Sequence, residues 1–222
     1  MICDNARPRN AKPQLLSSPS PNALARAWRL SAILVLGFAS GLPLALTGQA
    51  MQAWLTVDGV DLATIGFFGL VGIPYTFKFL WAPLMDRFEP PWLGRRRGWL
   101  ALTQLALAAL LWWMATLSPT TTPGLFAAAA VAIAFLSASQ DVVVDAYRTD
   151  LLPEAERGLG ASVHVFAYRL AMILSGGIAL IWAGQWASWP RVYETMALIM
   201  AVSRRIVEAG ADEVVFQRLL VL

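Results

Sequence analysis

Long apolar blocks separated by short polar segments dominate this chain. Five blocks of about 20 residues cover residues 28–47, 62–85, 99–117, 125–146 and 160–184. A helix rises 1.5 Å per residue, so about 20 apolar residues cross the roughly 30 Å of hydrocarbon in a bilayer. A sixth block begins near Val192 but stays apolar only to Val202, before Arg204 and Arg205. The pattern predicts an all-α, polytopic membrane helix bundle with five clear spans and a broken sixth.

The same pattern divides the chain into three regions. Residues 1–27 hold four prolines among serine, asparagine and arginine, so we expect a disordered cytoplasmic tail. Residues 28–202 form the predicted transmembrane bundle. The first block starts too late and runs too long for a signal peptide, so it is expected to remain as a span. Residues 203–222 are expected to form a tail that is too polar and too short to complete a crossing.

Composition supports a membrane location. Hydrophobic residues make up 58% of the chain and charged residues only 14%, whereas soluble domains carry about 25% charged residues. The single cysteine, Cys3, and the single histidine, His164, exclude a Cys/His zinc site, and we expect no metal or other cofactor. The net charge of +3 could indicate nucleic-acid binding, but the placement of the basic residues has a simpler explanation.

Basic residues concentrate on alternate connecting segments. They lie before the first block, after the second and after the fourth: Arg7, Arg9, Lys12, Arg26, Arg29, Arg87, Arg95, Arg96, Arg97, Arg148 and Arg157. The segments around Asp58 and Thr120 contain no lysine or arginine, and the one around Trp189 contains only Arg191. Because cytoplasmic loops carry the excess of Lys and Arg, the N-terminus is predicted to be cytoplasmic. Nucleic acid is therefore not an expected partner.

Four charged residues lie inside the predicted spans: Lys78, Asp141, Asp145 and Arg169. A charge at the bilayer centre costs about 2.5–3.5 kcal/mol on insertion scales, so each needs a partner or a function. Helix rise places Lys78 about 12 Å and Asp141 about 10 Å from the cytoplasmic ends of their spans, so the two could pair if the spans are neighbours. Arg169 lies near the midplane, where a guanidinium requires a carboxylate from the protein or from a ligand.

The fourth block carries a polar stripe. Ser137, Asp141, Asp145 and Arg148 are spaced by four, four and three residues and therefore share one helix face, with Gln140 beside them. Polar side chains also hold membrane bundles together, and for Asp145 and Arg148 that structural role is as good an explanation as function. For Asp141 and Arg169 we favour a role in transport or proton movement. His164 is interpreted as a packing residue, although it could titrate.

An enzymatic function is not supported by this pattern. Asp141, Asp145 and Asp150 resemble the aspartate run with which membrane prenyltransferases hold a magnesium diphosphate, but Asp150 lies off the shared face and no second acidic cluster follows. Intramembrane aspartyl proteolysis requires paired aspartates on different helices, and only the fourth block supplies deep ones. We therefore predict that the chain is not an enzyme.

Several ordered motifs point to a transporter family. Asp86-Arg87 followed by Gly94-Arg95-Arg96-Arg97 resembles the D-R…G-R-R loop of the major facilitator superfamily. The segments GFASGLPL at 37–44, FKFLWAPLMDR at 77–87 and SASQD at 137–141 closely resemble the AmpG-type muropeptide permeases of that superfamily. The resemblance runs from about Leu30 to about Ala187.

This resemblance implies an inner-membrane carrier that imports GlcNAc–anhydro-MurNAc peptides by proton symport for cell-wall recycling and, where a chromosomal β-lactamase is inducible, supplies its inducing signal. Asp141 is the candidate proton-coupling residue, because a buried carboxylate near a cation can titrate as its partner leaves. Candidate substrate-binding residues are Lys78, Gln140, Arg169, Ser137 and Gln49. The resemblance implies a cytoplasmic gate formed by Asp86, Arg87, Arg95, Arg96 and Arg97, with Asp145 as the candidate acid on the fourth span. The expected partners are muropeptide, protons and membrane lipid.

The chain also departs from this family. Family members have about twice as many spans, arranged as two six-helix bundles, and the family pattern ends near Ser203. We therefore expect a truncated or fragmentary copy. The alternatives are an inactive fragment and a half-carrier that needs a second half-transporter chain. An acetyl-coenzyme A-type transporter or a membrane-embedded prenyltransferase is a weaker alternative.

Overall fold

The computed structural model describes residues 21–90 and 94–220, with side chains described as far as Arg205. Every regular element in these ranges is helical. Ten α-helices follow one another: α1 Pro21–Ala45, α2 Met51–Val57, α3 Leu62–Phe68, α4 Ile73–Phe77, α5 Ala82–Arg87, α6 Arg95–Ala115, α7 Pro123–Leu151, α8 Glu154–Met172, α9 Ala179–Gln185 and α10 Trp189–Leu220. Most of the predicted tail lies outside the described residues, but its last seven residues are helical because α1 begins at Pro21.

Within the part of the chain that the structure describes, five continuous helical runs are long and apolar enough to cross a membrane: Ala25–Val57, Leu62–Leu80, Arg95–Ala115, Pro123–Leu151 and Glu154–Gln185. These correspond to the five predicted blocks, and the prediction of an all-helical, five-span bundle is confirmed. The sixth block is continuous as a helix, since α10 runs through Arg204 and Arg205 without a break in the backbone. It is the apolar composition that ends near Val202, not the helix.

The second run is the least regular. A 3₁₀ turn at Gly69–Gly72 separates α3 from α4, and another at Lys78–Leu80 precedes α5. Pro74 and Pro83 occupy the first turns of α4 and α5, where a proline costs no helical hydrogen bond. The run therefore changes direction at each junction, and the second turn carries Lys78.

Asp61 fixes the start of α3 at the end predicted to face outside. Its carboxylate accepts a hydrogen bond from the Thr64 backbone amide at 3.0 Å and from the Thr64 hydroxyl at 2.6 Å. Such an N-cap satisfies an amide that has no partner within the helix. The Thr64 hydroxyl bond lowers the pKa of the Asp61 carboxyl below its usual value, because it stabilises the ionised form.

The core lies between α1, α2, α6, α7 and α10. Its outer end is aromatic, because the Trp54 ring lies 5.1 Å from Phe126 and from Tyr193 and stacks on Trp189 at 6.2 Å. The run from α3 to α4 and the helices α8 and α9 are buried on one side only and turn residues such as Phe67, Phe166 and Ile181 outward. Outward apolar faces are expected for helices that contact lipid or another bundle.

Two π-helical segments pack against each other in this bundle. The first, Leu46–Ala50, joins α1 to α2, and the second, Ile173–Ile178, joins α8 to α9. Gly48 in the first segment has φ −100° and ψ −106°, outside the helical region. The buried Tyr193 hydroxyl donates a hydrogen bond of 2.7 Å to the Leu46 carbonyl. A tertiary contact therefore satisfies a backbone acceptor within the distortion.

Candidate functional site

A charged cleft of about 460 Å3 opens between α1, α7, α8 and the 3₁₀ turn of the second run. Its polar lining consists of Lys78, Asp141, Asp145, His164, Tyr168 and Arg169, and Leu44, Val165 and Met172 supply its apolar surface. All four charged residues that the sequence placed inside spans therefore line one cavity. Charged side chains in membrane helices are expected to face a cavity or the bundle interior rather than lipid.

The α7 wall of the cleft follows the predicted spacing. Asp141 and Asp145, four residues apart, both line the cleft. Ser137 and Gln140 continue the helix away from the cytoplasmic end, but they are fully buried behind the cleft surface. The acids therefore face the cleft, with Asp141 partly buried and Asp145 exposed, whereas the neutral side chains are buried.

Lys78 and Asp141 share the cleft without forming a direct ion pair. α7 packs against α4 and the adjacent 3₁₀ turn, so the second and fourth spans are neighbours as the pairing hypothesis required. Asp141 lies within the electrostatic influence of Lys78 and near the Ser40 hydroxyl, but no salt bridge within 4.0 Å joins the two charges. The expected Lys78–Asp141 pair is therefore corrected to two charges facing a common space.

Both deep cations are available to a ligand. Across the described ranges, neither Lys78 nor Arg169 takes part in a salt bridge. Asp145 instead pairs with Arg148 at 3.3 Å, one helical turn further on. An ammonium and a guanidinium without carboxylate partners are suited to bind an anionic ligand.

Buried polar side chains extend from the cleft into the bundle. Ser40, Tyr75, Ser137 and Gln140 each have a buried oxygen or nitrogen without a hydrogen-bond partner of good geometry in the described structure. The Tyr75 hydroxyl is directed toward Ser137 and lies near Asp141. Unpaired buried polar groups are costly, so this region is suited to hold water or a polar ligand group.

Gln49 lies apart from the other predicted substrate residues. It is exposed and belongs to the first π segment, where its Oε1 atom approaches Gly176 of the second π segment. It is not part of the cleft lining. The structure therefore brings Lys78, Asp141, Asp145 and Arg169 together and places Gln49 at the interface between the two π segments.

Close packing of α1 on α8 fixes one side of the cleft. A Cβ atom at Gly37 would lie 2.7 Å from the His164 carbonyl oxygen, and one at Gly41 would lie 2.4 Å from the Tyr168 carbonyl oxygen. Only glycine permits these backbone approaches. The sequence motif GFASGLPL thus positions the cleft residues His164 and Tyr168, although it contributes no charge itself.

A second charged group lies at the cytoplasmic end. Arg96 donates hydrogen bonds to the carboxylates of Asp86 and Asp150, the latter at 3.2 Å, and Arg95 donates to the Asp86 carbonyl at 3.2 Å. We call Asp86, Arg95, Arg96 and Asp150 the Arg96 network. The α7 acid that contacts Arg96 is therefore Asp150, whereas Asp145, the predicted gate acid, lines the charged cleft.

Three residues of these sites, Asp150, Tyr168 and His164, were not predicted as site residues from the sequence. Asp150 was considered only in a possible magnesium-binding aspartate run, and it was set aside because it lies off the face that Asp141 and Asp145 share. Tyr168 has no distinctive sequence context. His164 was interpreted as packing; the structure confirms its contact with α1 but also places it in the cleft lining. The available signal was its spacing of four residues before Tyr168, which places these two side chains on one face of α8.

Comparison with known proteins gives matches over most of this chain. The family model of the Major Facilitator Superfamily matches residues 21–208. The anhydromuropeptide permease of Escherichia coli K12 is 56% identical over 172 residues, which cover 78% of this chain and 35% of that protein. A Haemophilus influenzae protein without an assigned function is 45% identical over 164 residues, 74% of this chain and 38% of that protein. A candidate AmpG transporter of Rickettsia conorii is 34% identical over 173 residues, 76% and 41% of the two chains. The chain thus spans between about a third and two fifths of the length of these relatives.

Proposed function

The chain belongs to the Major Facilitator Superfamily and is a multi-pass inner-membrane protein, and from this premise we propose that it forms the first bundle of a carrier that imports anhydro-muropeptides by proton symport. Two findings support the proposal. The charged cleft offers two deep cations without carboxylate partners, and the E. coli anhydromuropeptide permease is 56% identical over 172 residues.

The chemistry of the cleft fits this class of substrate. GlcNAc–anhydro-MurNAc peptides carry peptide carboxylates and many hydroxyl groups. Lys78 and Arg169 would bind the carboxylates, because charge-assisted hydrogen bonds are the strongest that a cleft of this kind can offer. The buried Ser137 and Gln140 side chains, which lack partners, would bind hydroxyl or amide groups if the ligand or bridging waters reach them.

Proton coupling is proposed at Asp141. Its carboxylate faces the same space as Lys78. A proton on Asp141 would neutralise the competing negative charge, so that the Lys78 ammonium becomes available to the substrate carboxylate. Proton and substrate would then occupy the cleft together, as symport requires.

The Arg96 network is the proposed cytoplasmic gate element of this bundle. Arg96 joins the end of the second run to the end of α7 through Asp86 and Asp150. Arg87 and Arg97 belong to the same cytoplasmic segment and add to its positive charge. Reversible breaking of these partly exposed ion pairs costs little, which suits a contact that forms and releases in each transport cycle.

Uptake of labelled anhydromuropeptide into right-side-out membrane vesicles tests the proposal. An imposed inward proton gradient should drive uptake, a protonophore should abolish it, and Asp141→Asn should lose the response to the gradient. Asp58→Asn, a change at the outer end away from the cleft, is the matched control and should keep it. Full gradient-driven uptake by Asp141→Asn would remove Asp141 from the mechanism.

The length difference from the relatives makes a second arm of this experiment necessary. The chain is assayed alone and together with the part of the E. coli permease that lies beyond the matched 172 residues. Uptake only in the second case would identify the chain as a half-carrier that needs a partner chain. Competition by acetyl-coenzyme A instead of anhydromuropeptide would favour the alternative substrate, and absence of uptake in both cases would favour an inactive fragment.

A further inference from the structure

His164 occupies a position in the charged cleft that the proposed function has not used. It lines the cleft with Lys78, Asp141, Asp145 and Arg169 and is half-buried. Its Nδ1 atom is buried, has no hydrogen-bond partner in the described structure, and lies on the side of Gly37. The ring is therefore held between the backbone of α1 and the cleft, with one nitrogen against α1.

The ring is fixed by its surroundings rather than by a partner of its own. Glycine at position 37 allows α1 to approach so closely that a Cβ there would lie 3.0 Å from His164 Nδ1. The imidazole also lies 6.2 Å from the Tyr168 ring, tilted by 41°. A packing residue needs neither a lining position among charges nor an unpaired nitrogen, so packing alone does not account for this placement.

The ionisable groups around the imidazole come from three elements. The 3₁₀ turn contributes Lys78, α7 contributes Asp141, Asp145 and Arg148, and α8 contributes Tyr168 and Arg169. The neighbouring α1 has no ionisable side chain between Arg29 and the end of the span. Three cations thus face two carboxylates, and a protonated imidazole would add a fourth cation. The charge of the cleft therefore depends on whether the His164 ring carries a proton.

We propose that His164 links proton uptake to anion binding: its imidazole takes up a proton from solvent when a carboxylate-bearing ligand enters the cleft, and so becomes an additional cation for that ligand. Linkage makes the effect reciprocal, because a ligand that favours the protonated ring must bind more tightly when the ring is protonated. This inference rests on the proposed function for the identity of the ligand, but not for the electrostatic coupling of the ring to the cleft.

The single histidine of this chain makes a direct test possible. The purified full chain in lipid nanodiscs, labelled in the imidazole, gives one histidine ring signal whose chemical shift reports the protonated fraction. Without ligand, Lys78→Gln should increase that fraction at pH 6.5 and Asp141→Asn should decrease it. Arg157→Gln, which removes an exposed cation outside the cleft, is the matched control and should leave it unchanged.

Ligand binding supplies the second readout. Anhydromuropeptide should raise the protonated fraction of the wild-type ring at pH 6.5, and its affinity should be about tenfold higher at pH 6 than at pH 8, a typical coupling between two linked sites. His164→Gln keeps a polar side chain of similar reach but cannot take up the proton, so it should lose the part of this pH dependence that is due to His164. Asp141→Asn should keep the part that is due to His164.

The outcomes distinguish the inference about His164 from the proposed function. A protonated fraction that neither Lys78→Gln nor Asp141→Asn changes would overturn the inference, because the ring would then not sense the cleft. Binding of anhydromuropeptide with no change in the ring signal would overturn it as well. If both substitutions shift the ring signal but anhydromuropeptide does not bind at either pH, the proposed function fails and the coupling of His164 to the cleft stands.

Discussion

The contact between α1 and α8 leads to a sharp prediction about stability. At Gly41 an added Cβ would lie 2.4 Å from the Tyr168 carbonyl oxygen and 3.0 Å from the Ala171 Cβ atom. Real Cβ contacts are essentially never that short, and the obstructing atoms belong to backbone and to a side chain without rotamers. Gly41→Ala therefore requires the two helices to separate, with an opening of about 1 Å needed to restore ordinary contact.

The change in the free energy of unfolding caused by Gly41→Ala is the balance of two opposing effects. Overpacking of a well-packed interface costs about 1–3 kcal/mol, and the upper part of that range applies because no side chain can move aside. Replacing a helical glycine by alanine returns up to about 1 kcal/mol. Gly41→Ala should therefore lower the free energy of unfolding by about 2 kcal/mol. Gly66→Ala is the matched control, because nothing lies within 4 Å of an added Cβ there, and it should be neutral or stabilising.

Reversible unfolding in detergent, followed by circular dichroism, measures the difference. The two variants should differ by about 2–3 kcal/mol, which is about thirtyfold to more than a hundredfold in the unfolding equilibrium constant. Since Tyr168 lines the charged cleft, Gly41→Ala should also weaken ligand binding, whereas Gly66→Ala should not. Equal stability of the two variants would show that α1 and α8 are not in close contact, and the position assigned to His164 would fail with it.

Two further predictions concern buried and partly buried hydrogen bonds. Tyr193→Phe removes the donor to the Leu46 carbonyl and should lower the free energy of unfolding by about 1–3 kcal/mol, whereas Tyr147→Phe, whose hydroxyl makes none of the hydrogen bonds in the described part of the chain, should change it little. Glu156→Gln weakens the bidentate ion pair between Arg29 and Glu156 and should lower the free energy of unfolding by about 1–3 kcal/mol. Glu154→Gln, at an exposed glutamate, should lower it by less than about 0.5 kcal/mol. Equal losses within either pair, measured by the same unfolding assay, would contradict the role given to burial.

The spans could be predicted from the sequence because bilayer thickness imposes a length of about 20 apolar residues, and each of the five blocks meets it. The interruptions within the spans could not. The π segment at Leu46–Ala50 and the 3₁₀ turn at Lys78–Leu80 change a few backbone hydrogen bonds without changing hydrophobicity. Glycine and proline near these positions are typical of an irregular helix, but they do not show which bond is lost or in which direction the helix turns.

For the cleft, helix rise predicted the similar depth of Lys78 and Asp141, and helix periodicity predicted that Asp141 and Asp145 share a wall. Both rules apply within one helix, so they predict correctly only the relations between residues that one helix determines. The absence of a direct Lys78–Asp141 ion pair depends on the spacing between helices, which no single-helix rule contains. His164 was underestimated for the same reason, because its importance depends on the charges of other helices.

The interruptions also bear on how a rigid bundle can hold a cleft that must respond to a ligand. Gly37 and Gly41 allow α1 to pack closely against the part of α8 that carries His164, Tyr168 and Arg169. Just beyond that contact, toward the outer end, both helices pass into π segments that pack against each other. In a π segment the backbone hydrogen bonds join residues i and i+5 instead of i and i+4, and such segments are frequent at functional sites. Bending there costs less than bending within α1 or α8. The interruptions between α1 and α2 and between α8 and α9 therefore lie side by side, next to the helix segments that carry the cleft residues.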